Sequence, residues 1–195
     1  MKCLNYRFYI KVFFLALLSN FVGNMNCFGQ DIQQNKWFSS FDLGLQMSGI
    51  KSEDFVYSNY SPVYRISLGR GFSTNFAVQV GYQGKYFLAI SDDLKYEYSF
   101  FFIEGMANLT ELIFNSNELR KYNLWFHTGP GYFYHKIYNR SNLHWNLGCS
   151  NTFDLSKKIG LKLDVSAIIG WDIYQGNNDI LPNISMGILF RNLFE

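Results

Sequence analysis

The residues of this sequence with the most chemical potential are ionisable side chains that fall on the polar side of alternating segments. In each segment polar or small residues take turns with apolar ones, and acids and bases share the polar set. Opposite charges enclosed in a narrow space are expected to pair, because an unpaired buried charge is costly. We therefore predict a plug of salt bridges, with a proton or ion path as the alternative. The predicted network consists of Asp42, Arg65, Lys85, Glu104, Lys162, Asp164 and Arg191.

A hydrolytic site is a further interpretation of the polar residues. His135, Ser141 and Glu104 could supply the base, the nucleophile and the acid of a hydrolase. A nucleophile must lie within hydrogen-bonding distance of its base, but Ser141 follows His135 across a predicted loop. The sequence also has no HExxH, Walker, GxSxG or paired CxxC motif. We therefore expect no enzyme and no catalytic residues.

Metal and cofactor binding are not expected either. The three histidines invite a metal site, but His127 and His144 fall in the polar set of their segments. They fit a role in the enclosed polar network better than a role as metal ligands. We expect no metal and no cofactor.

The elements that position these side chains are strands. In the stretch Leu181–Glu195, every second residue from Pro182 to Phe190 is apolar, and the residues between them are mostly polar or small. A period of two is typical of a strand with one polar and one apolar face. The same pattern recurs upstream and predicts eight strands in all, at about 37–48, 61–70, 76–85, 96–109, 122–131, 143–150, 161–171 and within 181–195.

The fourth predicted strand is the least clear, because Phe100 to Ile103 are consecutive apolar residues. If Glu104 lies on the polar face, Phe101 and Ile103 lie on the apolar one. The interruption that follows, 110–121, is the longest in the chain and could hold a helical turn.

Eight such strands predict an all-β fold, an eight-stranded antiparallel up-and-down transmembrane β-barrel. An eight-stranded barrel has an interior just wide enough for side chains. The polar set contains most of the strand glycines, whereas the apolar set contains three tryptophans and many Leu, Phe and Ile residues. The small set is therefore expected inside and the bulky set outside, against lipid. The rival is a soluble ligand-binding barrel, which large inward residues would indicate.

The N-terminus predicts export. Lys2, Arg7 and Lys11 precede the apolar run 12–22, which is too short to span a bilayer. We assign 1–29 to a signal peptide and 30–195 to the barrel domain. A membrane anchor and a lipid-attachment site at Cys27 are the alternatives.

Removal of the signal peptide would change the charge and the cysteine content of the chain. Fourteen basic and 15 acidic residues would remain, with no basic patch for nucleic acid. Only Cys149 would remain of the three cysteines, so no internal disulfide is expected.

Several of these features together resemble a known family. The export signal, the eight alternating strands, the final SMGILF segment and Phe194 resemble small outer-membrane β-barrels of the OmpA-like transmembrane type. The segment Phe126-His-Thr-Gly-Pro-Gly-Tyr and the Phe-Gly-Gln-Asp cleavage region resemble porin-family barrels of Bacteroidetes.

The resemblance implies a monomer in the bacterial outer membrane, in contact with lipid and lipopolysaccharide. Its role would be structural or an interaction within the envelope, for which an envelope protein is a candidate partner. The alternatives are a narrow pore and a lipid A acyl hydrolase. The last strand, with Gly187, Phe190 and Phe194, would be recognised by the barrel-insertion machinery. Acidic loop residues such as Asp92 and Asp93 could bind divalent cations that bridge lipopolysaccharide phosphates.

Overall fold

The computed structural model describes residues 37–48, 59–88, 95–114, 122–171, 173 and 178–191. Antiparallel strands make up nearly all of these residues, and they close into a barrel in chain order, with β8 paired back to β1. The predicted eight-stranded up-and-down barrel is confirmed. The strands are β1 Trp37–Ser48, β2 Asn59–Gly71, β3 Phe76–Leu88, β4 Lys95–Asn108, β5 Tyr122–His135, β6 Arg140–Asp154, β7 Ile159–Trp171 and β8 Asn178–Arg191.

The barrel has two distinguishable ends. We call the end where β1 begins and β8 ends the near end, and the opposite end the far end. Two tight turns close hairpins at the near end: the amides of Phe72 and Ser73 both donate to the Phe76 carbonyl, and those of Leu155 and Ser156 donate to the Ile159 carbonyl. The interior of the barrel is called the lumen below.

The one helix among the described residues, α1, also lies at the near end and spans Leu109–Phe114. The Asn108 side-chain oxygen accepts hydrogen bonds from the amides of Thr110 and Glu111 at 3.1 and 3.3 Å, which caps the first turn. The helical turn expected in 110–121 is therefore present in its first part, and residues 115–121 lie outside the described residues. No helix in the described part of the chain is long and apolar enough to cross a membrane.

Side chains alternate between the lumen and the outer surface along every strand. In β4, the consecutive apolar residues Phe100 to Ile103 alternate in step with Glu104, which faces the lumen. Phe100 and Phe102 are buried in the lumen on the same side as Glu104, whereas Phe101 and Ile103 are exposed. The predicted strands were mostly too short at the far end. β5 extends to His135, for example, because the residues beyond Gly131 continue the alternation with aromatic side chains on both faces.

Inward glycines make room for the large rings that enter the lumen. A Cβ atom built on Gly81 would overlap the Phe102 ring, and one built on Gly131 would overlap the Phe100 ring. A narrow eight-stranded cylinder can therefore hold phenylalanines inside where a neighbouring strand carries no side chain.

Candidate functional site

The centre of the lumen holds a network of buried charges. Arg65 on β2 contacts Glu104 on β4 at 2.5 Å and Asp164 on β7 at 3.7 Å. His127 on β5 lies between the same two acids, with Nε2 at 2.9 Å from Asp164 and Nδ1 at 3.3 Å from Glu104. All four side chains are essentially inaccessible to solvent. The four groups join strands that lie on different sides of the barrel.

A second ion pair extends this network towards β1. Lys162 Nζ lies 3.0 Å from Asp42 and 3.8 Å from Asp164. The Ser40 hydroxyl donates to Asp42 at 3.0 Å and shares a hydrogen bond of 2.9 Å with the Ser67 hydroxyl. The charged pairs are therefore held in a wider set of polar side chains.

Glu104 has the most partners in the network. The side-chain amides of Gln79 and Asn146 both donate to it, the first at 2.5 Å. Charge-assisted hydrogen bonds of this kind are stronger than neutral ones, and they leave little of the carboxylate unpaired. We call the near-side filling of the lumen the polar half; its members are Ser40, Asp42, Arg65, Gln79, Glu104, His127, Asn146, Lys162, Asp164 and Ser166.

Five of the seven residues predicted for the lumen network are brought together here, and Lys85 and Arg191 are not. Lys85 is exposed, although its parity along β3 points inward. The pairing of β3 with β2 ends at Lys85 and Val63. Beyond that point β3 is hydrogen-bonded to β1. The side chains of Gln46 and Ser48 on β1 donate hydrogen bonds to the backbone carbonyls of Tyr86 and Leu88 on β3. Lys85 is therefore exposed at the end of the ladder, whereas Phe87, the next residue of the same parity, is buried in the lumen.

Arg191 lies at the near-end rim rather than in the centre of the lumen. It pairs with Asp154 at 2.5 Å, and both side chains are partly exposed. Of the residues predicted as the insertion signal, Gly187 is buried against Asp42 and Phe41 of β1, and Phe190 is exposed on the outer surface. Phe194 lies outside the described residues.

The far side of the lumen is filled by apolar and aromatic side chains. The Tyr98 and Phe133 rings stack with centroids 4.9 Å apart, and Phe133 also stacks on His144 at 4.8 Å. The expectation of a small, polar inward set is therefore wrong for this half. We call it the aromatic half; its members are Phe87, Tyr96, Tyr98, Phe100, Phe102, Phe133, Ile168, Ile173 and Leu181.

The two halves meet in direct contacts. The Arg65 guanidinium carbon lies 4.2 Å from the centroid of the Phe102 ring, within the range of a cation–π interaction. On the far side, the Tyr98 hydroxyl donates to Gln46 at 2.6 Å and accepts from Gln83 at 3.4 Å. These contacts connect the polar half to the aromatic half.

The residues considered for a hydrolytic site do not converge. His135 is buried beside Tyr138 and Tyr96 at the far end. Ser141 is exposed and pairs in register with Tyr134, on the opposite face of the sheet from His135. Glu104 lies in the polar half with Arg65. Among the described residues there is also no group of three His, Cys, Asp or Glu side chains arranged to hold a metal ion.

The outer surface of the barrel is an apolar belt. Leu43, Ile103, Val165 and Met186, from four different strands, are 57%, 58%, 54% and 63% exposed. Many further aliphatic and aromatic residues on the outer face of the strands are exposed in the same way. Monomeric soluble proteins rarely present apolar patches of more than a few hundred Å².

Comparisons with known proteins give similar folds but no family. No protein-family model matches the sequence, and no curated protein matches it. The crystal structure of Neisserial surface protein A matches with a TM-score of 0.54 and 9% identity, over 79% of this chain and 96% of that one. The N-terminal β-barrel domain of Pseudomonas aeruginosa OprF matches with a TM-score of 0.50 and 8% identity, over 81% and 100%. At these identities the likeness supports the fold alone.

Proposed function

We propose that this chain is an outer-membrane β-barrel that does not conduct and that has a structural or interaction role in the cell envelope. The observation that carries the proposal is a closed barrel that is apolar on its outer surface and filled inside. The alternation places lipid-compatible side chains outward on all eight strands. Membrane-spanning barrels have this pattern, since closure pairs every backbone group and the lipid-facing side chains need no water.

A soluble ligand-binding barrel fits these observations less well. Such a barrel keeps its apolar residues inside, around room for a ligand. Here the large inward rings pack on one another and on His144, and the outer face remains apolar as well. The inward aromatic residues therefore act as filling rather than as the wall of a ligand site.

A narrow pore and a lipid A hydrolase remain the alternative functions. The filled lumen argues against the pore, since water and ions would have to pass both the charge network and the aromatic half. The separation of His135 from Ser141 argues against the hydrolase. For the role we favour, the partners would be membrane lipid and lipopolysaccharide, the barrel-insertion machinery that recognises β8, and another envelope protein. The barrel itself would be a monomer after signal-dependent export.

The experiment that tests this function is fractionation of cells producing the full chain, followed by gel electrophoresis in SDS with and without boiling. We expect the protein in the outer-membrane fraction, with a mobility that changes on boiling because the closed barrel resists unheated SDS. Glu104→Ala provides a destabilised comparison that should unfold at lower temperature in the same gel. Recovery of the protein in the soluble periplasmic fraction would contradict the proposal.

A further inference from the structure

The apolar belt contains a groove on the outer face of β2 to β6. It is open to the outside, has a volume of about 900 Å³ and is lined almost wholly by apolar atoms, a size in the range of about 300–1,000 Å³ that ligand sites occupy. Its outward walls include Ile66, Val80, Tyr82, Phe101, Ile103 and Tyr132. A groove on a surface that faces lipid must be filled by lipid chains or by another apolar partner.

Polar groups follow this groove in the direction of the far end. The hydroxyls of Tyr82 and Ser99 share a hydrogen bond of 3.3 Å at the upper edge of the groove. Gly84 is the next outward position after Tyr82 on β3. It has no side chain, and the Tyr82 hydroxyl lies where its Cβ would be. The surface therefore changes from apolar to hydrogen-bonding within one step along the strands.

A row of cations lies above these hydroxyls. Tyr86 pairs in register with Glu97, and the Lys136 amide donates to the Glu97 carbonyl, which places β3, β4 and β5 at one level. The Lys95 ammonium lies 5.2 Å from the Tyr86 ring centroid, and the Lys136 ammonium lies 3.2 Å from Glu97. The step from Tyr82 to Tyr86 is four residues, or about 13 Å along a strand.

The rim above the groove is more basic than the rest of the far end. Both lysines of the row, Lys95 and Lys136, are exposed. The described far-end residues of β7, β8 and β1 include no lysine or arginine. Among the described residues, the acid of this row is Glu97, which is exposed.

We propose that the groove and the lysine row together form a binding site for a membrane lipid with an anionic phosphate headgroup. The hydrocarbon chain lies in the groove, and the phosphate contacts Lys95 and Lys136. The order from apolar groove through hydroxyls to cations matches the order of groups along such a lipid. Charge complementarity selects the headgroup, because Lys95 and Lys136 outnumber Glu97 among the described residues of the row. This inference rests on the proposed membrane location.

The test measures binding of lipid to the purified full chain in detergent micelles. The probes are phosphatidylglycerol, diacylglycerol with the same chains, and inorganic phosphate. EDTA is present, so that divalent cations cannot bridge lipid phosphate to Asp92 and Asp93. Wild type should bind phosphatidylglycerol most tightly, and its affinity should fall as NaCl is raised because salt screens exposed charges. Equal affinity for diacylglycerol, or no dependence on salt, would overturn the proposal; tight binding of free phosphate would show an anion site without a role for the groove.

Two pairs of variants separate the headgroup contacts from the groove. Lys95→Ala/Lys136→Ala should weaken binding of phosphatidylglycerol about thirtyfold, given the typical contribution of each lysine near anionic lipid. Lys157→Ala/Lys158→Ala, in an exposed near-end turn, should leave it unchanged. Val80→Trp should fill the groove and weaken binding, whereas Val165→Trp, elsewhere on the belt, should not.

Equal binding by the lysine variants and wild type would refute the assignment of the headgroup. A heat-modifiable gel mobility for each variant checks that the barrel is folded. Because that mobility also tests the membrane barrel itself, a loss of lipid binding in a heat-modifiable variant separates failure at this site from failure of the proposed function.

Discussion

The two halves of the lumen fill the same eight-stranded cylinder with different chemistry. In the polar half, Glu104 and Asp164 contact Arg65 and His127 at distances of 2.5 to 3.7 Å. Each of these contacts needs an acidic and a basic partner. The aromatic half joins rings such as Tyr98 and Phe133 by stacking. Ionic pairing fails when one partner is removed, whereas apolar packing tolerates a replacement of similar volume. The two halves should therefore respond differently to the same kind of substitution.

The largest effect is expected in the polar half. Glu104→Ala leaves Arg65 and His127 without their shared acid, and removing one partner of a buried ion pair costs about 3–5 kcal/mol. The free energy of unfolding, measured by urea titration in lipid vesicles, should fall by this amount. Glu97→Ala removes the acid of an exposed pair with Lys136, and it should cost no more than about 1 kcal/mol. Similar losses for the two variants would show that the network is hydrated rather than buried.

In the aromatic half, the loss should depend on volume. Phe133→Ala removes a ring packed on Tyr98 and His144, and it should cost about 3 kcal/mol, at the lower end for such truncations. Phe133→Leu should recover more than half of that loss, since it refills most of the space. The same vesicle titration measures both. An equal loss for Leu and Ala would contradict a filling held by apolar packing.

A smaller effect is expected at the junction of the halves. Arg65→Lys keeps the charge but loses the planar group that lies over the Phe102 ring, and it should cost about 2 kcal/mol for a desolvated cation–π contact. A double-mutant cycle with Phe102→Leu isolates the contact. A coupling energy near zero would mean that the halves are adjacent but independent.

The smallest effect belongs to the near-end rim. Asp154→Asn removes the charge that pairs with Arg191 at 2.5 Å. Both side chains are partly exposed, so the loss in unfolding free energy should be no more than about 1 kcal/mol. The effect should shrink further in 1 M salt. A loss as large as that of Glu104→Ala would place Arg191 in the network after all.

The alternation of polar and apolar residues along each strand predicted much of the barrel and of the polar half. A period of two is sufficient to assign faces wherever polar and apolar residues alternate, as around Asp42, Arg65 and Asp164. It does not find a contact between strands, so the central place of Glu104 between Arg65 and His127 was not visible. It also failed at Lys85, because the end of a hydrogen-bonded ladder depends on how neighbouring strands curve rather than on local sequence.

The aromatic half was missed because both faces of the far-end strands are apolar. Phe100 and Phe101 are both hydrophobic, so their own polarity does not tell which of them faces the lumen, and the assignment depends on counting residues from Glu104. The available signal was in the glycines: Gly81 and Gly131 mark the inner positions on strands adjacent to Phe102 and Phe100. An inward glycine beside an aromatic residue of inward parity indicates a ring in the lumen.

The central claim is that the polar half and the aromatic half each block the lumen. The most direct test is the conductance of the purified full chain in planar lipid bilayers. Wild type should show no steady open channel. Glu104→Ala/Asp164→Ala, which opens the polar half, and Phe100→Ala/Phe133→Ala, which opens the aromatic half, should each remain silent because the other half stays filled. The combined variant should conduct. Steady conductance by wild type, or by either single-half variant, would contradict the account.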